Sequence, residues 1–147
     1  MFDNLLFIHS YFRYPILILF LVSFFFLIQS YAGKRISDRF QKTHKILTIL
    51  TDIQFLIAIF VYSFSPTVRT TFSDMRSAMK DRELRFFTFE HSVMMITVLI
   101  FFHIINSKAK KNHENVKLIL QFLIFYGIIL LLLGLAYPFS RPMFRGF

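Results

Sequence analysis

Cysteine and tryptophan are both absent from this 147-residue chain, and glycine occurs only four times. Without cysteine the chain can form no disulfide, no thiolate metal site and no cysteine nucleophile. The four glycines form no glycine-rich phosphate loop, and neither a G-x-S-x-G nor an H-E-x-x-H motif occurs. Nucleotide-binding loops, serine hydrolases of the nucleophile-elbow type and zinc proteases therefore have no support in the sequence.

Acidic residues are also scarce, since 8 Asp and Glu stand against 17 Lys and Arg, for a formal net charge of +9. In a soluble protein this excess would suggest nucleic acid as a partner. Here most basic residues flank apolar runs, which is where membrane proteins carry them. The chain is 56% hydrophobic and has 22 Phe, more than a water-soluble chain of this size could bury. The sequence therefore predicts the lipid bilayer, and no nucleic acid, as its surroundings.

Four continuous apolar runs occupy about residues 4–32, 46–65, 86–105 and 116–137. Each is long enough to cross about 30 Å of hydrocarbon as a helix, and none alternates as a membrane strand would. We predict an all-α membrane protein whose residues 1–147 form one domain, an antiparallel bundle of four transmembrane helices. The connection between the second and third runs mixes Met and Phe with charged residues. This composition predicts a short amphipathic helix on the membrane surface.

The charges that flank the first run set the predicted orientation. The stretch MFDN before it has an acid and no base, whereas GKR follows its end. Basic residues favour the cytoplasmic side, so both termini and the connection after the second run are predicted to lie outside. The first run is also predicted to be retained rather than cleaved as a signal peptide, because its basic residues follow it.

The most informative residues are ionisable groups inside the runs, because each costs roughly 2.5–3.5 kcal/mol on insertion scales. His9 and His91 lie at similar depth near the outer ends of the first and third helices, and Arg13 is one turn from His9. Two imidazoles on facing helices can ligate a haem iron axially in a bundle core. We therefore predict a haem b held by His9 and His91, with its propionates near Arg13, Lys80 and Arg85.

Two further features of this outer region leave alternatives open. Glu90 is predicted to orient an imidazole or to pair with Arg13. A histidine near a helix end can also be no more than an interfacial or interhelical hydrogen-bonding group. The haem interpretation and this plainer one are both compatible with the sequence.

A second haem at the inner end would need His44 and His103. His103 is rotated by roughly 120° around its helix from His91, so the two do not share a face. His44 stands among Lys and Thr in KTHK and is predicted to be solvated. Asp52 and Gln54 in the second helix and Glu90 in the third are predicted to be buried polar residues, and His103 is predicted to form a hydrogen bond with Asp52. The second haem is therefore the minor interpretation.

Several stretches resemble a group of small four-helix inner-membrane proteins of Bacteroidetes-type bacteria that are labelled cytochrome b-like. They are LLFIHSYFRYPILI, DIQFLIAIFVYSFSP, SAMKDRELRFFTFEHSVMM and the closing YPFSRP. The resemblance covers nearly the whole chain, and its most specific parts surround His9 with Arg13 and run from Ala78 to His91. It implies haem b, with His9 and His91 as the matching histidines, and it implies the bacterial inner membrane.

The chain departs from that family at two places. Ala58 stands where members often have Gly, and NHENVK replaces the KH that commonly precedes the last helix, so no role is carried over to His113. Two function classes then remain, neither of them a stand-alone enzyme. One is a b-type cytochrome that exchanges electrons with a quinone or a respiratory partner. The other is a non-catalytic accessory subunit of a larger inner-membrane complex.

A third, weaker possibility is the movement of protons or a solute along the polar side chains of the spans. The residues that would carry it are Asp52, Gln54, His103 and Glu90. No inverted repeat and no pair of broken helices supports a transporter.

Overall fold

The computed structural model describes residues 2–110 and 114–137, and the regular structure of these residues is entirely helical. The helices are α1 (Phe2–Ala32), α2 (Asp38–Phe64), α3 (Pro66–Ser73), α4 (Met75–Ala78), α5 (Arg82–Arg85), α6 (His91–Ala109) and α7 (Val116–Leu135). A π-helical turn, Phe86–Glu90, joins α5 to α6 without a break.

Among the described residues, four helical stretches are long and apolar enough to cross a membrane: α1, α2, Arg82–Ala109 and α7. The predicted all-α class with four spans is therefore confirmed. The second and third spans are longer than their apolar runs, because α2 begins at Asp38 and the third starts at α5. Pro15 lies inside α1, which continues through it as one helix. The sequence predicts that Pro138 ends the fourth helix, and that residue lies outside the described residues.

The four long helices pack as a ring in which consecutive helices are neighbours. α1 packs on α2, α2 on α6, α6 on α7, and α7 on α1. Short connections between α1 and α2 and between α6 and α7 favour antiparallel neighbours, whereas the connection from α2 to α6 is longer and contains α3, α4 and α5. As a result α1 and α6 oppose each other across the bundle. The end that carries α3, α4 and α5 is called the outer end, after the predicted orientation, and the opposite end is called the inner end.

Aromatic side chains fill the centre of the bundle. Phe20, Phe40, Phe102, Phe122 and Tyr126 are each at most 1% exposed, and every long helix contributes at least one of them. The outward surface carries large apolar side chains instead, many of them about half exposed. Apolar residues on both the inside and the outside are typical of a bundle that sits in lipid.

The connection between α1 and α2 is a tight turn that is closed by backbone hydrogen bonds. Arg35 N–H donates to Ser30 O and Lys34 N–H donates to Tyr31 O, both at 3.1 Å. This is the Schellman pattern of a helix C-terminus, and its left-handed position is occupied by Lys34, with φ 55°. Ser37 then caps α2 by accepting the Phe40 N–H.

Replacing Lys34 with glycine is expected to raise the free energy of unfolding by about 0.5–1 kcal/mol. A side chain at positive φ crowds its own backbone, and glycine removes that crowding. Thermal unfolding in detergent would measure the change. Lys34→Ala is the matched control, because it removes the same charge but keeps the Cβ atom. Equal effects of the two substitutions would show that the backbone conformation is not the cause.

The outer connection contains three short helices, α3, α4 and α5, where the sequence predicts one amphipathic helix. Asp74 caps α4 by accepting the Ser77 N–H at 3.1 Å. Hydrogen bonds from Ser77 hold the pKa of the Asp74 carboxyl below its ordinary value. Behind this surface the buried hydroxyls of Thr71 and Thr88 are 2.9 Å apart, and they tie α3 to the start of the third span.

Candidate functional site: an outer histidine cluster and a buried inner network

The ring of His91 is held by a backbone carbonyl at the end of α7. His91 Nδ1 lies 2.9 Å from Ala136 O. A carbonyl oxygen can only accept, so Nδ1 carries the hydrogen and donates it. In the neutral ring the lone pair then lies on Nε2. A metal-bound histidine characteristically has this arrangement, in which the other ring nitrogen donates to a carbonyl or carboxylate.

His9 has the opposite tautomer, which Gln54 fixes. Gln54 Nε2 is 2.9 Å from His9 O and 3.1 Å from His9 Nδ1. Because the His9 carbonyl can only accept, the amide nitrogen and not its oxygen must face it. The same NH₂ group therefore donates to His9 Nδ1. A neutral His9 thus carries its hydrogen on Nε2 and is a donor there.

Arg13 belongs to the same region. Its guanidinium carbon lies 5.3 Å from the ring centre of Tyr14 and 5.5 Å from that of Tyr137, within the range of cation–π contact. His9, His91 and Arg13 are close enough for their charges to interact. We call His9, Arg13, Gln54 and His91 the outer histidine cluster. Helices α1, α2 and α6 supply it, with the end of α7 behind it.

The two histidines do not offer the same chemistry to a haem. His91 Nε2 has the lone pair that an axial ligand needs. His9 Nε2 carries a hydrogen, and its Nδ1 is engaged by Gln54. Ligation by both rings, as predicted, would require Gln54 to withdraw and His9 to change tautomer. The residues as arranged fit one axial ligand and one hydrogen-bond donor.

Arg85 and Glu90 form a separate contact at the surface. Arg85 Nε is 2.7 Å from Glu90 Oε1, and Arg85 Nη1 donates to Met79 O at 3.0 Å. The predicted burial of Glu90 is wrong, because its side chain is 43% exposed. Its carboxylate pairs with Arg85 and not, as one form of the prediction has it, directly with Arg13. The π-helical turn explains why, because its i→i+5 register brings residues five apart onto one side. Lys80 lies exposed on the outer connection.

The inner half of the bundle contains a second group of polar residues, deeply buried. His44 Nε2 is 3.0 Å from Phe102 O, and His44 Nδ1 is 2.7 Å from the Tyr126 hydroxyl. That hydroxyl is 2.6 Å from Ser23 Oγ. We call these four residues the buried histidine network. One member comes from each long helix, so the network joins all four spans.

The carbonyl of Phe102 fixes the direction of every hydrogen bond in the network. His44 Nε2–H donates to that oxygen, so the Nδ1 of a neutral His44 accepts from the Tyr126 hydroxyl. The Tyr126 oxygen in turn accepts from Ser23. Each buried polar side chain of the network has a partner, which is the condition for burying polar groups without a large penalty.

The prediction that His44 is solvated is wrong, since its side chain is 1% exposed. The error lies in the helix start. α2 begins at Asp38 rather than near residue 46, so His44 lies well inside the helix. Phe40, His44 and Leu47 follow the i, i+4, i+7 spacing of a core face, and all three are buried. That spacing was readable in the sequence.

The predicted hydrogen bond between His103 and Asp52 is confirmed, with His103 Nε2 at 2.8 Å from Asp52 Oδ1. The pair does not lie in the core, however, because the two side chains are 53% and 41% exposed. His44 has both ring nitrogens engaged, and His103 points outward. The two are therefore not arranged as ligands of a second haem. Within residues 2–110 and 114–137, no three His, Asp or Glu side chains form a group that could hold a metal ion.

No family model, no curated protein and no solved structure matches the chain. A function for the chain is therefore inferred from the geometry of its own residues.

Proposed function

We propose that this chain is a b-type haem-binding protein of the bacterial inner membrane that takes part in electron transfer. The observation that carries the proposal is the hydrogen bond from His91 Nδ1 to Ala136 O. It selects the tautomer whose Nε2 can ligate iron, and it raises the basicity of that nitrogen. The four apolar spans and their flanking charges support a multi-pass protein with both termini on the periplasmic side.

Each member of the outer histidine cluster has a distinct part in this proposal. His91 would hold the haem iron through Nε2, and His9 would offer a hydrogen-bond donor at Nε2. Gln54 holds His9 in that tautomer, and Arg13 supplies a positive charge for a propionate. The haem itself supplies a one-electron redox couple. A membrane quinone is the proposed partner for electron exchange.

The proposal is tested by the optical spectrum and the pyridine haemochrome of protein expressed with ample haem. We expect stoichiometric haem b in a high-spin state, because only His91 presents a lone pair to the iron. His91→Ala should lose the haem, whereas His103→Ala, the matched histidine control on the same helix, should keep it. Colourless wild-type protein would contradict the proposal. A low-spin spectrum that depends on His9 would contradict the tautomer assignment of His9 and retain the haem.

The second candidate is a non-catalytic accessory subunit of a larger inner-membrane complex. It is favoured by the Asp52–His103 pair, whose side chains are exposed on the outward surface of two spans. Polar groups inside a membrane are expected to face protein or water, so a neighbouring protein would satisfy them. Movement of protons along the polar side chains has less support. Asp52 and His103 bond to each other, Gln54 bonds to His9, and Glu90 bonds to Arg85. These are three separate contacts rather than one chain.

A further inference from the structure

The outward surface between α2 and α6 carries one polar feature among apolar residues, the Asp52–His103 pair. On α2 the neighbours of Asp52 along the same face are exposed isoleucine and leucine, and the same side of α6 carries isoleucine beside His103. We call this surface the α2–α6 face. It consists of Ile49, Asp52, Leu56, Ile96, Ile100 and His103, each substantially exposed. The spacings i, i+3, i+7 and i, i+4, i+7 place each set on one side of its helix.

The pair has hydrogen-bonding capacity that its own chain does not use. Asp52 Oδ1 accepts from His103 Nε2. In the described ranges 2–110 and 114–137, neither Asp52 Oδ2 nor His103 Nδ1 has a partner. With Nε2 donating, a neutral His103 has an acceptor at Nδ1, and a protonated His103 has a donor there. As an ion pair of imidazolium and carboxylate, the two side chains offer one spare donor and one spare acceptor.

Both residues lie inside candidate membrane spans. Lipid chains cannot satisfy a carboxylate or an imidazole, so polar groups inside a membrane face protein or water. The α2–α6 face therefore does not suit contact with hydrocarbon alone.

We propose that a second copy of this chain packs against the α2–α6 face. A two-fold axis along the membrane normal places the same pair at the same depth in both copies. When His103 is protonated in both copies, His103 Nδ1–H of each donates to Asp52 Oδ2 of the other, so that two spare donors meet two spare acceptors. A contact of this kind is isologous, because the same patch serves both partners. Because the contact is self-complementary, a second copy of the chain is the partner that fits it. The proposed dimer does not depend on any haem at the outer end.

The lack of native cysteine makes the contact directly testable. Leu56→Cys and Ile100→Cys place single thiols on the α2–α6 face. Ile18→Cys on α1 and Leu131→Cys on α7 are the matched controls, since both positions are exposed outside that face. A short bismaleimide is added to native membranes before solubilisation, and dimers are detected by gel electrophoresis under reducing conditions. We expect covalent dimers from the α2–α6 positions and little from the controls.

The same assay tests whether the polar pair holds the contact. Asp52→Leu with His103→Leu, built into the Leu56→Cys variant, should reduce cross-linking several-fold. Thermal unfolding of the purified protein checks whether this variant is folded. Undiminished cross-linking, or equal cross-linking at Leu131, would overturn the proposal. Cross-linking of the face to a different protein, without self-dimers, would also overturn it. Haem content is measured on the same samples, so the failure of either proposal is visible separately.

Discussion

Replacing His44 with alanine is expected to lower the free energy of unfolding by about 3 kcal/mol or more. The substitution removes a side chain that is 1% exposed and leaves a cavity next to the rings of Phe40 and Phe102. It also removes the partner of the Tyr126 hydroxyl, whose other contact is Ser23. The loss therefore removes one hydrogen bond between α2 and α6 and one between α2 and α7.

Two other variants separate the causes of this effect. Tyr126→Phe keeps the stacked ring and removes only the hydroxyl, so it should lower the free energy of unfolding by about 1–3 kcal/mol. Lys45→Ala changes the next residue, which is exposed, and should stay within about 0.5 kcal/mol of wild type. Thermal or denaturant unfolding in detergent measures all three. If His44→Ala were as stable as Lys45→Ala, the network would have no role in holding the bundle together.

The fold and the site differ in how much of them the sequence predicts. Continuous apolar runs are a strong signal, because only a helix satisfies its backbone inside a bilayer. The four spans followed from them. The ends of the spans did not, because polar residues such as Asp38 and Arg82 extend helices beyond the apolar core. The prediction for His44 was wrong for this reason, because α2 begins at Asp38 and His44 lies inside the helix.

The contacts of the candidate site depend on details that no local pattern contains. The i→i+5 register that pairs Glu90 with Arg85 comes from a π-helical turn, which has no simple sequence signature. The tautomers of His9 and His91 depend on Gln54 and on a carbonyl more than 40 residues away in sequence. Depth along the helix did bring His9 and His91 into one region, as predicted.

The aromatic centre of the bundle leads to the second large effect. Phe20 is 1% exposed, and its ring centre lies 5.0 Å from that of Tyr126 in a stacked arrangement. It also contacts the rings of Phe24 and Phe102. Phe20→Ala is expected to lower the free energy of unfolding by about 3–5 kcal/mol. In lipid the transfer of apolar surface contributes little to helix association, so the loss comes from missing van der Waals contacts and the cavity left behind.

Phe25→Ala is the matched control, because Phe25 lies on the same helix but is 56% exposed. It removes the same atoms from the lipid-facing surface, where solvent or detergent fills the space, and should change the free energy of unfolding by less than about 1 kcal/mol. Unfolding of both variants in the same detergent measures the difference.

A cavity beside Tyr126 should also loosen the ring that positions the hydroxyl for His44. Phe20→Ala combined with Tyr126→Phe should therefore lose less stability than the two single effects added together. Full additivity would show that the aromatic stack and the buried histidine network stabilise the bundle independently.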